Sequence, residues 1–331
     1  MISPVFSMYG LLSLLFSGPL LAAGLPPQAG LNPLDDYEPP ARPRLSGNDT
    51  QRTLSVNGRD RSLLYYAPKG IPPEAIVVIL HGTTGCARRI RDFTAYKFDE
   101  LADQHGYAVI YPEAVSGVWD DCRIASRRPP EDSALDDAAF LGAAVQRVRE
   151  DLGVEGVPCF LAGYSGGGHL AFRIAMRNPE QFRAYAIFAA SLPTPGDLNC
   201  PEPKQGVSLL LINGTSDPVN PFSGGEVVPP AGPPLGMVRS TLATAEYFAG
   251  LAGASGAPSA ANPAFGPDGT SLEEITWKGK GHEVKLVIVS GGGHSLPHPT
   301  AEFPRAAGPT SKSASGAEII WSFFERHLKP I

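Results

Sequence analysis

Four short apolar runs punctuate this chain, at residues 75–80, 159–162, 207–212 and 284–289. Each is too short for a helix and is bounded by glycine or polar residues, the pattern of a strand buried on both faces. Between them the period changes to 3.6. From Asp137 to Leu152 the residues Phe140, Leu141, Ala144, Val145 and Val148 share one face, which predicts a helix. A second amphipathic stretch, 169–176, follows the second run directly. Upstream, residues 53–66 read as an opening hairpin turned at Asn57-Gly58. Alternating strands and helices imply a mainly parallel sheet covered by helices on both faces. The stretches 224–235 and 253–269, rich in glycine, proline and alanine, are expected as surface loops bordering a cleft. No internal repeat is present.

Reactive side chains sit where the predicted strands end. The run at 159–162 leads into Gly163-Tyr164-Ser165-Gly166-Gly167, a Gly-x-Ser-x-Gly sequence with a helix immediately after it. Strand, sharp turn and helix together place a serine hydroxyl in a strained elbow above a parallel sheet. Asp217 follows the run at 207–212, and Gly291-Gly292-Gly293-His294 follows the run at 284–289. An aspartate before proline is most often a turn former, but this one lies past a strand in the right interval of the chain. Loops beyond the carboxyl ends of parallel strands converge on one site. The order Ser165, Asp217, His294 is that of the α/β-hydrolase fold and differs from both familiar serine protease folds. The expected roles are nucleophile for Ser165, general base for His294 and orienting carboxylate for Asp217.

The run at 75–80 ends in His81-Gly82-Thr83-Thr84-Gly85. In this fold the oxyanion hole combines the amide after the nucleophile with one from this loop. Gly166 and Thr83 are the expected donors, with Thr84 as the alternative to Thr83. His81 is expected to anchor the loop, because a base is already supplied. Trp119 and Tyr164 are candidates for lining the substrate pocket.

With these parts in place, the chain resembles the secreted polyhydroxybutyrate depolymerase and feruloyl esterase family of α/β-hydrolases. The resemblance rests on His81-Gly82, Tyr111-Pro112-Glu113, Trp119-Asp120-Asp121, Asp136 to Leu141, Gly163 to Gly167, Gly214 to Pro218, Gly292-Gly293-His294 and Ile319 to Phe324. It implies one catalytic domain that hydrolyses carboxylic esters without a cofactor, acting on short hydroxyalkanoate polyester or on feruloyl or acetyl groups of polysaccharide. Two departures bear on the substrate. Trp119-Asp120-Asp121-Cys122 stands where the family usually has Trp-Asn-Asp-Gly, and Ser295-Leu296-Pro297 where many members have Thr-Trp-Pro.

Composition agrees with one globular enzyme: 331 residues, 43% hydrophobic and 18% charged. A net charge of −6 without a basic run argues against nucleic acid as a partner. Residues 1–23 read as a signal peptide, apolar and ending in small residues but too short and proline-interrupted for a stable membrane span. Residues 24–46 read as a proline-rich linker and 47–331 as the catalytic domain. A secreted or periplasmic location follows, and four cysteines fit it. Of the three possible pairings, Cys86–Cys122 with Cys159–Cys200 is expected. The cysteine spacing matches no zinc pattern, and Pro297 interrupts His294 and His298, so no metal is expected. Other readings of the same motifs are a serine peptidase of the prolyl peptidase type and a non-catalytic surface-binding protein. Activity on aminoacyl amides would favour the first. Oligomeric state is not legible.

Overall fold

The computed structural model describes residues 37–125, 135–203, 205–254 and 257–329. The expected leader and the first part of the linker, to residue 36, lie outside the described residues. Strands β1 (Asn48–Val56) and β2 (Arg59–Ala67) form the opening hairpin, and Asn57 and Gly58 both take positive φ at its turn. Then follow β3 (Ala75–Leu80), α1 (Ala87–Phe93), α2 (Lys97–His105), β4 (Tyr107–Pro112), α3 (Asp137–Leu152), β5 (Cys159–Tyr164), α4 (Gly166–Arg177), β6 (Ala184–Phe188) and β7 (Leu209–Gly214). A two-stranded ribbon, β8 (Gly225–Glu226) with β9 (Met237–Val238), precedes α5 (Thr241–Leu251). The last elements are β10 (Ser259–Ala260), β11 (Ala264–Phe265), β12 (Ser271–Lys278), β13 (Glu283–Ser290) and α6 (Gly316–Glu325).

The main sheet runs β1-β2-β4-β3-β5-β6-β7-β13-β12-β10, with β11 also on β12. From β4 through β13 every pairing is parallel, while the strands at both edges are antiparallel. The central strands are buried throughout, which is why their sequences show no alternation. Side chains still alternate between the two faces. Ile76, Val78, Leu80, Leu161 and Leu211 point to the face covered by α3, α4 and α5. Val77, Ile79, Phe160, Ala162 and Ile212 point to the face covered by α1, α2 and α6. Each fully buried valine, leucine, isoleucine or phenylalanine among them contributes roughly 1.5–3 kcal/mol. Truncating the fully buried Phe172 of α4 to alanine would cost about 3–5 kcal/mol.

The helix expected from periodicity matches α3 in both its bounds and its buried face, and Asp136 caps it by accepting from the Ala139 amide. Residues 37–46, the end of the proline-rich segment, are tied to the domain. Tyr37 packs edge-on against Phe93 and donates to the Asp92 carbonyl, and Ser46 bonds Asp103. The glycine-rich stretches expected as loops also carry the short strands β8, β10 and β11.

The disulfide expectation is corrected. Cys122 is bonded to Cys200, with Cα atoms 5.3 Å apart, and Cys86 and Cys159 are free. An isolated antiparallel bridge between Arg123 and Leu198 lays the two segments side by side, and the Asn199 amide donates to the Cys122 carbonyl. Cys86 caps α1, which packs on the opposite face of the sheet from Cys122. Cys159 opens β5, at the far end of that strand from Ser165, and burial pushes its thiol up to about 11.

Candidate active site

Strand β5 ends at Tyr164, α4 begins at Gly166, and Ser165 between them has φ 51° and ψ −115°. Non-glycine residues rarely hold such a conformation, and here the surroundings over-determine it. The Ser165 amide donates to the Phe188 carbonyl of the neighbouring strand, and its carbonyl accepts the His169 amide, closing the first turn of α4. Ser165 is half-buried, with its side chain at the edge of the sheet.

The loops after β7 and β13 meet it. His294 Nε2 lies 2.8 Å from Ser165 Oγ, and His294 Nδ1 lies 2.7 Å from Asp217 Oδ2. The Asp217 side chain is only 1% exposed, so its second oxygen needs partners. Oδ1 accepts the amides of Val219 and Asn220 at 2.7 and 2.8 Å. The two loops touch through glycines: a Cβ on Gly214 would overlap the Gly292 carbonyl. The histidine loop is held from three directions. His294 donates its amide to the Ala307 carbonyl, Gly293 donates to the Pro309 carbonyl, and Tyr164 Oη donates to the His294 carbonyl at 2.9 Å.

On the other side of Ser165 lies the loop after β3. A Cβ on Gly166 would overlap Thr83 Oγ1 and come 2.8 Å from the Thr83 amide nitrogen, so the backbones of Thr83 and Gly166 are adjacent. Thr84 is excluded as the alternative donor, because its amide is already given to the Gly117 carbonyl at 2.8 Å. His81 anchors the loop. It is buried and its pKa is pushed down to about 4, chiefly by loss of solvent. The neutral ring places Nδ1 2.8 Å from the Gly82 carbonyl and accepts the Ala114 amide at Nε2, a pattern that puts the proton on Nδ1.

Trp119 and Tyr164, the expected pocket-lining aromatics, are packed inside. Trp119 is 1% exposed, donates from Nε1 to the His81 carbonyl at 2.8 Å and lies against the His81 ring. Tyr164 is buried against His294, Phe188 and Phe303. Both therefore support the site's loops and do not wall an open cleft. Absent from the sequence reading are the buried Asp121–Arg123 ion pair, with nitrogen and oxygen 2.6 Å apart, and His169, one turn below Ser165 on α4. Only the Trp119-Asp120-Asp121-Cys122 departure signals a changed environment there. Among the described residues no three His, Cys, Asp or Glu side chains converge as a metal site requires.

A serine at a strand–helix elbow, facing an imidazole and a buried carboxylate from later strands, defines the class of α/β-hydrolases. The similar solved structures agree on the fold. An acetyl xylan esterase from Aspergillus awamori superposes with a TM-score of 0.52 at 18% identity, covering 75% of this chain and 95% of that one. A cold-adapted esterase from an Arctic intertidal metagenomic library gives a TM-score of 0.50 at 14% identity, over 87% of this chain and 97% of that one.

Sequence similarity narrows the class. Residues 62–194 match the family described as "Esterase PHB depolymerase". A protein from Nocardia uniformis subsp. tsuyamanensis named as an esterase, NocK, is 30% identical over 85% of this chain and 84% of its own length. Feruloyl esterase C of Emericella nidulans is 26% identical over 41% of this chain and 56% of that enzyme, and the acetylxylan esterase of Coprinopsis cinerea is 26% identical over 57% and 47%. The chain belongs to this esterase family and is a carboxylic-ester hydrolase.

Proposed function

We propose that the protein is an exported serine esterase that works through an acyl-enzyme on Ser165. The observation that carries this reading is the continuous hydrogen-bonded line from Ser165 Oγ through His294 to the buried carboxylate of Asp217. In the first half-reaction Ser165 Oγ attacks the ester carbonyl carbon and its proton passes to His294 Nε2. The oxygen that becomes negative turns toward the Thr83 and Gly166 amides, whose charge-directed hydrogen bonds stabilise the tetrahedral intermediate. The carbon–alkoxide bond breaks and the alcohol leaves with the proton held by His294. Water then attacks the acyl-enzyme, again giving its proton to His294, and the acid departs as Ser165 recovers its own.

The substrates in this proposal are short hydroxyalkanoate polyester or its oligomers, or feruloyl and acetyl esters of polysaccharide. The names of the family and of the fungal relatives support that range. Export is supported by the apolar leader of small terminal residues and by the Cys122–Cys200 disulfide.

The test is turnover by purified protein and its Ser165→Ala variant on p-nitrophenyl acetate and butyrate, methyl ferulate and a 3-hydroxybutyrate oligomer. Loss of turnover in the variant is expected, and the best substrate fixes the acyl class. Equal turnover by both proteins would sink the serine assignment.

A further inference from the structure

The edge of the sheet opposite Ser165 carries a cleft of its own. Strands β5, β6 and β7 all begin there, and the residues at their starts are knit together. Arg183 donates its amide to the Cys159 carbonyl, and Tyr185 donates to the Ser208 carbonyl. The cleft, of about 350 Å³, opens among these strand starts, between the last turn of α3 and the turn joining β12 to β13. Small-molecule sites span about 300–1,000 Å³. Cys159 lines the cleft and opens β5, whereas Ser165 follows the other end of that strand, about 20 Å away. The cleft is therefore no part of the ester site.

Its lining holds an excess of hydrogen-bond donors. Arg149 is half-buried and has no acid within ion-pair distance among the described residues. Its Nη2 donates to the Val157 carbonyl at 2.6 Å and to Cys159 Sγ at 3.2 Å, which fixes the guanidinium. Nη1 and the buried Nε have no partner among the described residues. Arg183 is exposed, and its guanidinium likewise meets no acid there. Ser208 is 2% exposed; its Oγ accepts the Glu283 amide at 3.3 Å and its proton has no acceptor among the described residues. Burial lowers the His282 pKa, so that ring is neutral at pH 7 and adds one N–H. The one carboxylate of the described lining, Glu180, is exposed and pairs with neither arginine. A half-buried guanidinium without a counter-charge carries a desolvation cost that a bound anion relieves.

We propose that this cleft binds a small molecule through an oxyanion, a carboxylate or a phosphate, held between Arg149 and Arg183 with Ser208 Oγ as a further donor. A lining of donors calls for a ligand that brings acceptors, and two arginines in a chain of net charge −6 select a negative one. The guanidinium fork matches the oxygens of carboxylate and phosphate alike. Bracing the Val157 carbonyl takes Arg149 Nη2 alone, which leaves Nη1 and the whole of the Arg183 guanidinium for the ligand. The ester mechanism uses neither arginine.

The experiment is calorimetric titration of the purified protein with inorganic phosphate, with succinate and with butane-1,4-diol, the neutral analogue of succinate. One site per chain for phosphate or succinate is expected, with no binding of the diol. The tighter of the two anions tells a phosphate ligand from a carboxylate one. Arg183→Gln changes an exposed side chain that makes no bond, so the variant folds, and its affinity for that anion should fall about tenfold or more, the size of one charge-assisted hydrogen bond. Arg149→Gln should weaken binding as much, and Arg149→Lys, which keeps the charge, should recover it in part. Ester turnover in Arg183→Gln should stay close to wild type, because the cleft lies at the other end of β5. Failure of both anions to bind, binding of the diol as tight as that of succinate, or an affinity unchanged in Arg183→Gln would each overturn the proposal. The last result would place the anion elsewhere, the oxyanion hole included.

Discussion

Asp217 meets His294 with one carboxylate oxygen only, because the other is committed to the amides of Val219 and Asn220. That division predicts the consequence of an isosteric change. In Asp217→Asn the amide oxygen must stay with the two backbone donors, which turns the NH₂ group toward His294 Nδ1. The ring then accepts at Nδ1 and carries its proton on Nε2, the wrong tautomer for taking one from Ser165. We expect kcat to fall about 10³- to 10⁴-fold with the fold unchanged. Steady-state kinetics with circular dichroism of the variant checks both halves.

Gly166 tests the oxyanion hole without removing a donor. A Cβ there would collide with Thr83 and force the two backbones apart. Gly166→Ala should lower kcat by about 10²-fold or more, the loss typical of one misplaced donor, with KM far less affected. A Thr83→Ser variant keeps the amide and the hydroxyl, and its kcat should stay close to wild type.

The cysteine pairing predicts a thiol count. Denatured, unreduced protein should titrate with two free thiols, Cys86 and Cys159, and peptide mapping should recover Cys122 joined to Cys200. The bond closes a loop of 78 residues, and cross-links of that span contribute about 4 kcal/mol. Cys122→Ser should therefore lower Tm by roughly 5–10 °C. Zero or four free thiols would contradict the pairing.

The loop anchor His81 predicts a pH dependence of stability. Its pKa in the folded protein is about 4, below the 6.5 of an exposed imidazole, so the unfolded chain binds more protons between those values. The stabilisation is complete above about pH 6.5 and is lost as pH falls toward 4. Thermal melts of wild type should drop across that window. In His81→Asn the slope should be shallower by about one proton, at the cost of a lower Tm at neutral pH.

What could be read from the chain was whatever local order encodes. Ser165, Asp217 and His294 each sit just after a strand, so strand pattern and chain order were enough to place them together. Helix α3 was legible for the same reason, its buried face being written in its own residues. Features that depend on distant partners were not. Cys122 meets Cys200 only because Arg123 pairs with Leu198, and no spacing encodes that bridge. Trp119 and Tyr164 looked like pocket aromatics, but their polar ends are claimed by the carbonyls of His81 and His294, and an aromatic with a satisfied polar end packs inward. Thr84 lost its claim to the oxyanion hole through a bond to Gly117, more than thirty residues away. Nothing in the local sequence marks His169, because a histidine on an amphipathic helix reads as ordinary until its neighbours are known.

The central claim is that Ser165 carries the acyl group. The most direct measurement is intact-mass and peptide analysis after treatment with a p-nitrophenyl phosphonate, an ester analogue that leaves a stable adduct on an activated serine. One adduct per chain is expected, on the peptide that holds Ser165, with turnover lost in step and no labelling of Ser165→Ala. An adduct on another residue, or turnover that survives full labelling of Ser165, would contradict the account.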